Sequence, residues 1–98
     1  MEKQKREESQ TVKKSFIVQN DYGLHTRPAT EIVRCCAQFQ SQIKLRNDHM
    51  EVDAKSILGV LVLAAAKGTE IQVIAKGVDA EQAVDALIAL SATHFKCK

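Results

Sequence analysis

Apolar positions along this 98-residue chain follow two rhythms. In "KKSFIVQN", residues 13–20, they alternate: Phe16 and Val18 share one face, while Ser15, Ile17 and Gln19 share the other. That period predicts a strand with one buried face. "DYG" at 21–23 breaks it. Ile32, Val33, Cys36 and Phe39 then recur at helical spacing, and Pro28 fits an early helical turn, where its missing N–H costs nothing. The first helix is expected from about Thr26 to Gln38. "SQIKLRN" reads as a second strand with Ile43 and Leu45 inward, and "NDHM" as a turn whose Asn, Asp and His tolerate left-handed backbone. "MEVDA" is a short third strand. "KSILGVLVLAAAKG" opens on Ser56, a good N-cap, and closes on Gly68, a good stop. The helix between them should turn Val60 and Leu63 inward, with Gly59 an unusual guest. "TEIQVIAKG" is a strand with Ile71 and Val73 on one face. In "VDAEQAVDALIALSATHF", Asp79 followed by Gln82 has a capping-box pattern, and Ala83, Leu87 and Leu90 form the apolar stripe of a last helix.

The order strand, helix, strand, strand, helix, strand, helix predicts an α+β open-faced sandwich, a four-stranded antiparallel sheet with three helices on one face. Residues 1–11 are polar, mixed in charge and without apolar periodicity, so they are expected to form a flexible arm. Residues 12–98 make one domain.

Composition narrows the function. The net charge of +2 is too small for binding nucleic acid by counter-ion release, and aromatics at 4% leave too few rings for base stacking. The longest apolar run, Ile57 to Ala66, is about half of what a bilayer requires. "MEKQKREESQ" lacks the apolar segment of a secretory signal. The expectation is a cytoplasmic monomer with no membrane insertion and no nucleic-acid partner. Cys35, Cys36 and Cys97 are odd in number and lack CxxC spacing, which suits reduced thiols. No spacing supports a zinc site from Cys35, Cys36, His49 and His94. The sequence shows no Walker-type loop and no metal-binding acidic cluster, which argues against a self-contained kinase. No cofactor is expected.

The chemistry concentrates in "GLHTRPAT", residues 23–30. A helix starting near His25 sets that ring beside unpaired backbone N–H groups and the positive end of the helix dipole. The setting favours anions over an imidazolium, so the ring is expected to be nucleophilic. An imidazole nitrogen can attack phosphorus, and the transferred group would then meet the N–H groups of the helix start. Arg27 could reach the same oxygens, because the guanidinium fork matches phosphate. Gly23 allows close approach of the chain. Taken as an isolated short motif, the same residues would more readily be read as a loop histidine and a solvated charge.

"GLHTRPA" closely resembles the active-site signature of the HPr family, the histidine-containing phosphocarriers of the bacterial sugar phosphotransferase system. "KSILGVLVLAAAKGTEI" resembles that family's second-helix region and "DAEQAVDALIAL" its last helix, in the same order, over about Lys14 to Ala92. The resemblance implies that His25 is phosphorylated at Nδ1 and that Arg27 steadies the phosphoryl group, with Thr26 and Pro28 at the helix start. It implies that Ser56 is the target of a dedicated HPr kinase/phosphorylase. Ile57, Leu58 and Leu61 fall on the family's exposed docking patch, which Thr26 adjoins. Enzyme I, charged from phosphoenolpyruvate, would be the donor and an enzyme IIA domain the acceptor. The chain would then be a carrier, not an enzyme. A regulatory paralogue in a relay that moves no sugar would keep the His25 chemistry with other acceptors. A small α+β domain binding nucleic acid or a metabolite is the reading from another class.

The chain departs from the family pattern in places. Ala64 stands where many relatives have Gly; a positive φ there would strain it, and an ordinary φ would let the helix run longer. Asp48-His49 replaces a common Asn-Gly turn. His94 is expected near the end of the last helix, complementing its dipole.

Overall fold

The computed structural model describes residues 10–63 and 65–95. Strand β1 (Thr11–Ile17) runs antiparallel to β4 (Glu70–Lys76), with Phe16 opposite Ile71. Its alternation holds: Phe16 and Val18 are buried, and Ile17 is exposed. Strand β2 (Gln42–Arg46) flanks β4 on the other side, with Leu45 opposite Val73, and the three-residue β3 (Glu51–Asp53) closes the far edge. The order is β1-β4-β2-β3, all antiparallel. Inward positions on β2 and β4 (Ile43, Leu45, Ile71, Val73, Ala75) are essentially sealed from solvent. Burying a side chain such as Leu45 stabilises the fold by about 1.5–3 kcal/mol. Helices α1 (Thr26–Cys36), α2 (Ile57–Leu63) and α3 (Ala80–Ala92) cover that face with Ile32, Cys36, Val60, Leu63, Val84 and Leu87. Among the described residues, no helix is long and apolar enough to cross a membrane.

Several boundaries differ from the sequence expectation. β1 begins at Thr11, and the Gly77 N–H bonds the Gln10 carbonyl at 2.9 Å, so pairing reaches into the stretch expected to be an arm. Residues 1–9 of that stretch lie outside the described residues. α1 ends at Cys36 because the chain then tightens: the N–H groups of Gln38 and Phe39 bond the carbonyls three residues back. α2 ends well before Gly68. Ala65 is buried beyond it, its carbonyl is taken by the N–H of Leu24, and the Thr69 N–H closes a turn on the Ala66 carbonyl. Ala64 lies outside the described residues. Gly59 is explained by packing, since a Cβ there would come within 3.3 Å of the Asp53 carbonyl and 3.4 Å of the Val52 side chain.

Asp79 sits at the N-cap of α3 but makes no side-chain cap. Its carboxylate instead accepts from the N–H groups of Gln40 and Ser41, at 2.9 and 3.0 Å, and from the buried Ser41 hydroxyl. Three donors outside the helix outcompete its own N–H groups. The Ser41 hydroxyl, then the Gln40 N–H, hold the carboxyl below the usual range.

The "NDHM" turn uses no left-handed residue; the Asn47 Oδ1 accepts from the N–H groups of His49 and Met50 at 2.8 and 2.9 Å. The left-handed backbone lies at the other end of the chain. α3 stops at Ala92, and His94 and Phe95 follow with φ of 57° and 59°. Each such residue costs about 1–2 kcal/mol. Phe95 offsets this: it is buried, meets Phe16 edge-on at 5.4 Å, and its N–H reaches the Leu90 carbonyl at 2.9 Å. Burial of the ring and the aromatic contact are together worth about 2–4 kcal/mol.

Candidate functional site

The loop between β1 and α1 is built to present His25. Past Ile17, Val18 stays tied to the next segment: its N–H bonds the Thr69 carbonyl at 2.9 Å, and its carbonyl accepts from Gly68 at 2.7 Å. The chain then turns back, the Gly23 N–H bonding the Asn20 carbonyl at 2.9 Å. Gly23 has φ of +70°, and a Cβ there would lie 2.4 Å from the Ala65 carbonyl oxygen. This position therefore needs glycine twice over, for its backbone angle and for its contact. Leu24, next in line, is buried and bonds that same carbonyl. His25 emerges exposed, as the N-cap residue of α1.

The His25 backbone carbonyl receives the first helical bond, from Ala29 at 2.9 Å, but its ring makes no cap bond. The imidazole is thus not consumed in closing the helix. Its one ring neighbour among the described residues is the exposed Tyr22, edge-on with centroids 6.1 Å apart. Helix geometry leaves the N–H groups of Thr26 and Arg27 without partners inside the helix. Pro28 is buried and has no N–H to lose. No acidic residue stands in the first turn, and Arg27 is exposed and outside every ion pair found among the described residues. An exposed imidazole, two open amide donors and an unneutralised guanidinium meet at one helix start. That arrangement can receive a tetrahedral anion on the ring.

The second group lies on α2. Ser56 caps this helix as its sequence predicts, its Oγ accepting from the Gly59 N–H at 3.1 Å. Val60 and Leu63 face the core, and Ile57 and Leu58 are exposed, at 39% and 71%. Leu61 departs from expectation, being half-buried against the core. Val62, 60% exposed, takes its place on the surface. A signal for this was available, because Val62 follows Leu58 by four residues and such positions share a helix face. No hydrogen bond, ion pair or ring contact joins the Ser56 group to the His25 group among the described residues.

Three further features escaped the sequence reading. Tyr22 lies against His25. Lys67 pairs with Asp21 at 3.0 Å. His94 sits beyond the last helix, not at its end, with Nε2 3.0 Å from the Gln19 Oε1 and its carbonyl bonded by Asn20 at 2.8 Å. Burial pushes the Cys36 thiol up to about 12, so it behaves as an inert core residue. Cys35 is half-buried, and Cys97 lies outside the described residues. Among the described residues, no group of three or more His, Cys, Asp or Glu could hold a metal ion.

Known proteins resemble this chain in sequence and in fold. Residues 12–93 match the family described as "PTS HPr component phosphorylation site". The chain is 41% identical over 76 residues to the phosphocarrier protein HPr of Cupriavidus necator, covering 78% of this chain and 85% of that protein. It is 38% identical over 86 residues to the phosphocarrier protein NPr of Escherichia coli, covering 87% and 96%. The crystal structure of HPr from Thermoanaerobacter tengcongensis superposes with a TM-score of 0.83 at 34% identity, covering 89% of this chain and 98% of that one. A match across most of the domain, in sequence and in fold, places this chain in the HPr family of phosphocarrier proteins.

Proposed function

We propose that this chain carries a phosphoryl group on His25, accepting it from phosphorylated enzyme I and passing it to enzyme IIA-type acceptors. The observation that carries this reading is the exposed His25 ring, uncommitted to capping, at a helix start that offers open N–H donors and Arg27. In the transfer, a ring nitrogen forms a bond to phosphorus as the bond from phosphorus to the donor breaks, and the displaced electron pair stays with the donor. Thr26 and Arg27 N–H groups and the Arg27 guanidinium hold the oxygens, and the catalytic contribution of the chain is positioning and charge. Thr26, Ile57 and Leu58 form the proposed docking surface, with Val62 added to it and Leu61 supporting it from below. The working unit is a cytoplasmic monomer.

The direct test is ³¹P NMR after incubation with phosphoenolpyruvate and the cognate enzyme I. An acid-labile phosphoramidate signal on the wild type, absent from His25→Ala, is expected. No signal on the wild type, with enzyme I shown to be active, would overturn the reading.

Ser56 is the proposed regulatory residue and a substrate for an HPr kinase/phosphorylase. A phosphate there adds nearly two negative charges at a helix start, where they are tolerated, beside Ile57 and Leu58, where a partner must bury them. Ser56→Asp should keep the fold and weaken enzyme I binding. Ser56→Ala should cost about 1 kcal/mol in thermal unfolding and leave binding intact. Equal binding by both variants would remove Ser56 from the docking account.

The similarity to NPr supports a second reading, a regulatory relay without sugar transport. It shares the His25 chemistry and differs in the acceptor. Incubating the phosphorylated protein with candidate acceptors separates the two.

A further inference from the structure

His25 opens onto a cleft of about 460 Å³ whose walls come from three separate parts of the chain. Asp21 and Tyr22 come from the loop before α1, Lys67 from the turn before β4, and His94 from the C-terminal turn. Some polar groups in these walls are already paired, while the buried Asn20 Oδ1 has no partner among the described residues. The Asn20 amide nitrogen bonds the His94 carbonyl, and the His94 Nε2 meets Gln19. Lys67 supplies the ammonium group and Asp21 the carboxylate; they pair at 3.0 Å with side chains 59% and 80% exposed.

We propose that Lys67 leaves Asp21 for the phosphoryl oxygens when His25 is phosphorylated, so that the Lys67–Asp21 pair sets how strongly this carrier retains its group. The inference rests on His25 being the phosphorylated residue. One observation and two physical arguments carry it. Lys67 rides on the backbone unit that positions His25: its turn is tied to the His25 loop through Leu24 N–H to Ala65 carbonyl at 2.9 Å and to β1 through Gly68 N–H to Val18 carbonyl at 2.7 Å. The backbone that carries the lysine is therefore held beside the His25 loop. Its present partner is weakly held, because an exposed ion pair gains little over water. The arriving group is the stronger competitor: a phosphoryl group brings close to two negative charges and three acceptor oxygens against the single charge of Asp21. Asp21 is then a built-in opponent. It neutralises the cation while the histidine is empty and repels the phosphoryl group once it arrives. Retention weaker than the site could achieve suits a carrier that must also give the group away.

The test is a double-mutant cycle on the full chain, with wild type, Lys67→Gln, Asp21→Asn and the double variant. Each is brought to equilibrium with the cognate enzyme I at fixed phosphoenolpyruvate-to-pyruvate ratios, and the phosphorylated fraction is read by ³¹P NMR. Both side chains are exposed, so circular dichroism melts should match the wild type. Lys67→Gln should lower the phosphorylation equilibrium constant about two- to fivefold, in line with an exposed charge pair. Lys67→Arg should restore it. Asp21→Asn should raise the constant by a similar factor, and at least half of that gain should vanish when Lys67 is Gln. The inference is overturned if Lys67→Gln matches the wild type, or if Asp21→Asn gains equally with and without Lys67. Either result on a wild type that is phosphorylated leaves the His25 reading standing. A wild type that takes no phosphoryl group overturns both.

Discussion

Substituting Ala at Gly23 and, separately, at Gly68 isolates the contact that shapes the His25 loop. Both glycines have positive φ, +70° and +91°. Ala pays about 1–2 kcal/mol for that backbone angle at either site. The surroundings differ. At Gly68 an added Cβ meets nothing within 4 Å, so the backbone angle is the whole cost. At Gly23 it lies 2.4 Å from the Ala65 oxygen and 3.1 Å from the Ala66 Cα, and backbone cannot swing aside as a side chain would. Moving that carbonyl strains or breaks its bond with the Leu24 N–H, worth about 0.5–1.5 kcal/mol, in addition to the clash. Gly23→Ala should therefore cost about 2–4 kcal/mol and Gly68→Ala about 1–2 kcal/mol. For a domain of this size the first corresponds to roughly 10–25 °C in Tm. Calorimetry measures the stability difference, and ³¹P NMR at a temperature where both variants are folded measures phosphorylation. Gly23→Ala should be phosphorylated more slowly, because the strain enters two residues before His25, while Gly68→Ala should keep the wild-type rate. Equal losses of stability would refute the reasoning, since the Ala65 contact would then contribute nothing.

Two further outcomes follow from positions already described. Asp79 has a depressed pKa, so its clamp on Gln40 and Ser41 contributes fully above the ordinary aspartate value of about 3.9 and fades as pH falls through the lower folded-state value. Urea midpoints should drop for the wild type below about pH 4, and Asp79→Ala should be weaker at pH 7 yet show a smaller drop over that window; parallel curves would remove Asp79 from the acid response. Leu58→Ser should leave stability within about 0.5 kcal/mol while slowing phosphorylation by enzyme I, whereas Val60→Ala, at a buried position, should cost about 1–3 kcal/mol. Equal unfolding losses in the two variants would contradict their placement on opposite sides of α2.

The sequence was legible wherever a feature depends on neighbours in the chain. The inward residues of β1, β2 and β4 follow from alternation, and Ser56 caps α2 because its partner is three residues away. The placement of His25, Thr26 and Arg27 at a helix start could be read because that start is contiguous in sequence. Failures occurred where a distant segment competes. Asp79 has the local pattern of a capping box, yet Gln40 and Ser41, brought up by the fold, claim its carboxylate. α2 looked long because the apolar run continues to Ala66, but Ala65 is drawn off to bond Leu24. The Lys67–Asp21 pair and the His94–Gln19 contact link residues 46 and 75 positions apart, and no periodicity encodes them.

The strand order bears on how the protein is made. β1 precedes the other strands and, among the described residues, pairs with β4 alone, so it has no sheet partner until residues 70–76 exist. The helix that covers β1 and β4 comes later still, and Phe95, which seals Phe16, lies near the end of the chain. Contacts between such distant segments slow folding, because the loop must close before the contact repays it. The segment from Val18 to His25 follows β1 and is tied to the later chain by Val18 bonds to Gly68 and Thr69 and by the Leu24 bond to Ala65. On a ribosome the His25 loop is therefore translated before the segment that shapes it, so a product stalled ahead of Ala65 would carry the signature residues in a loop without its fixed geometry.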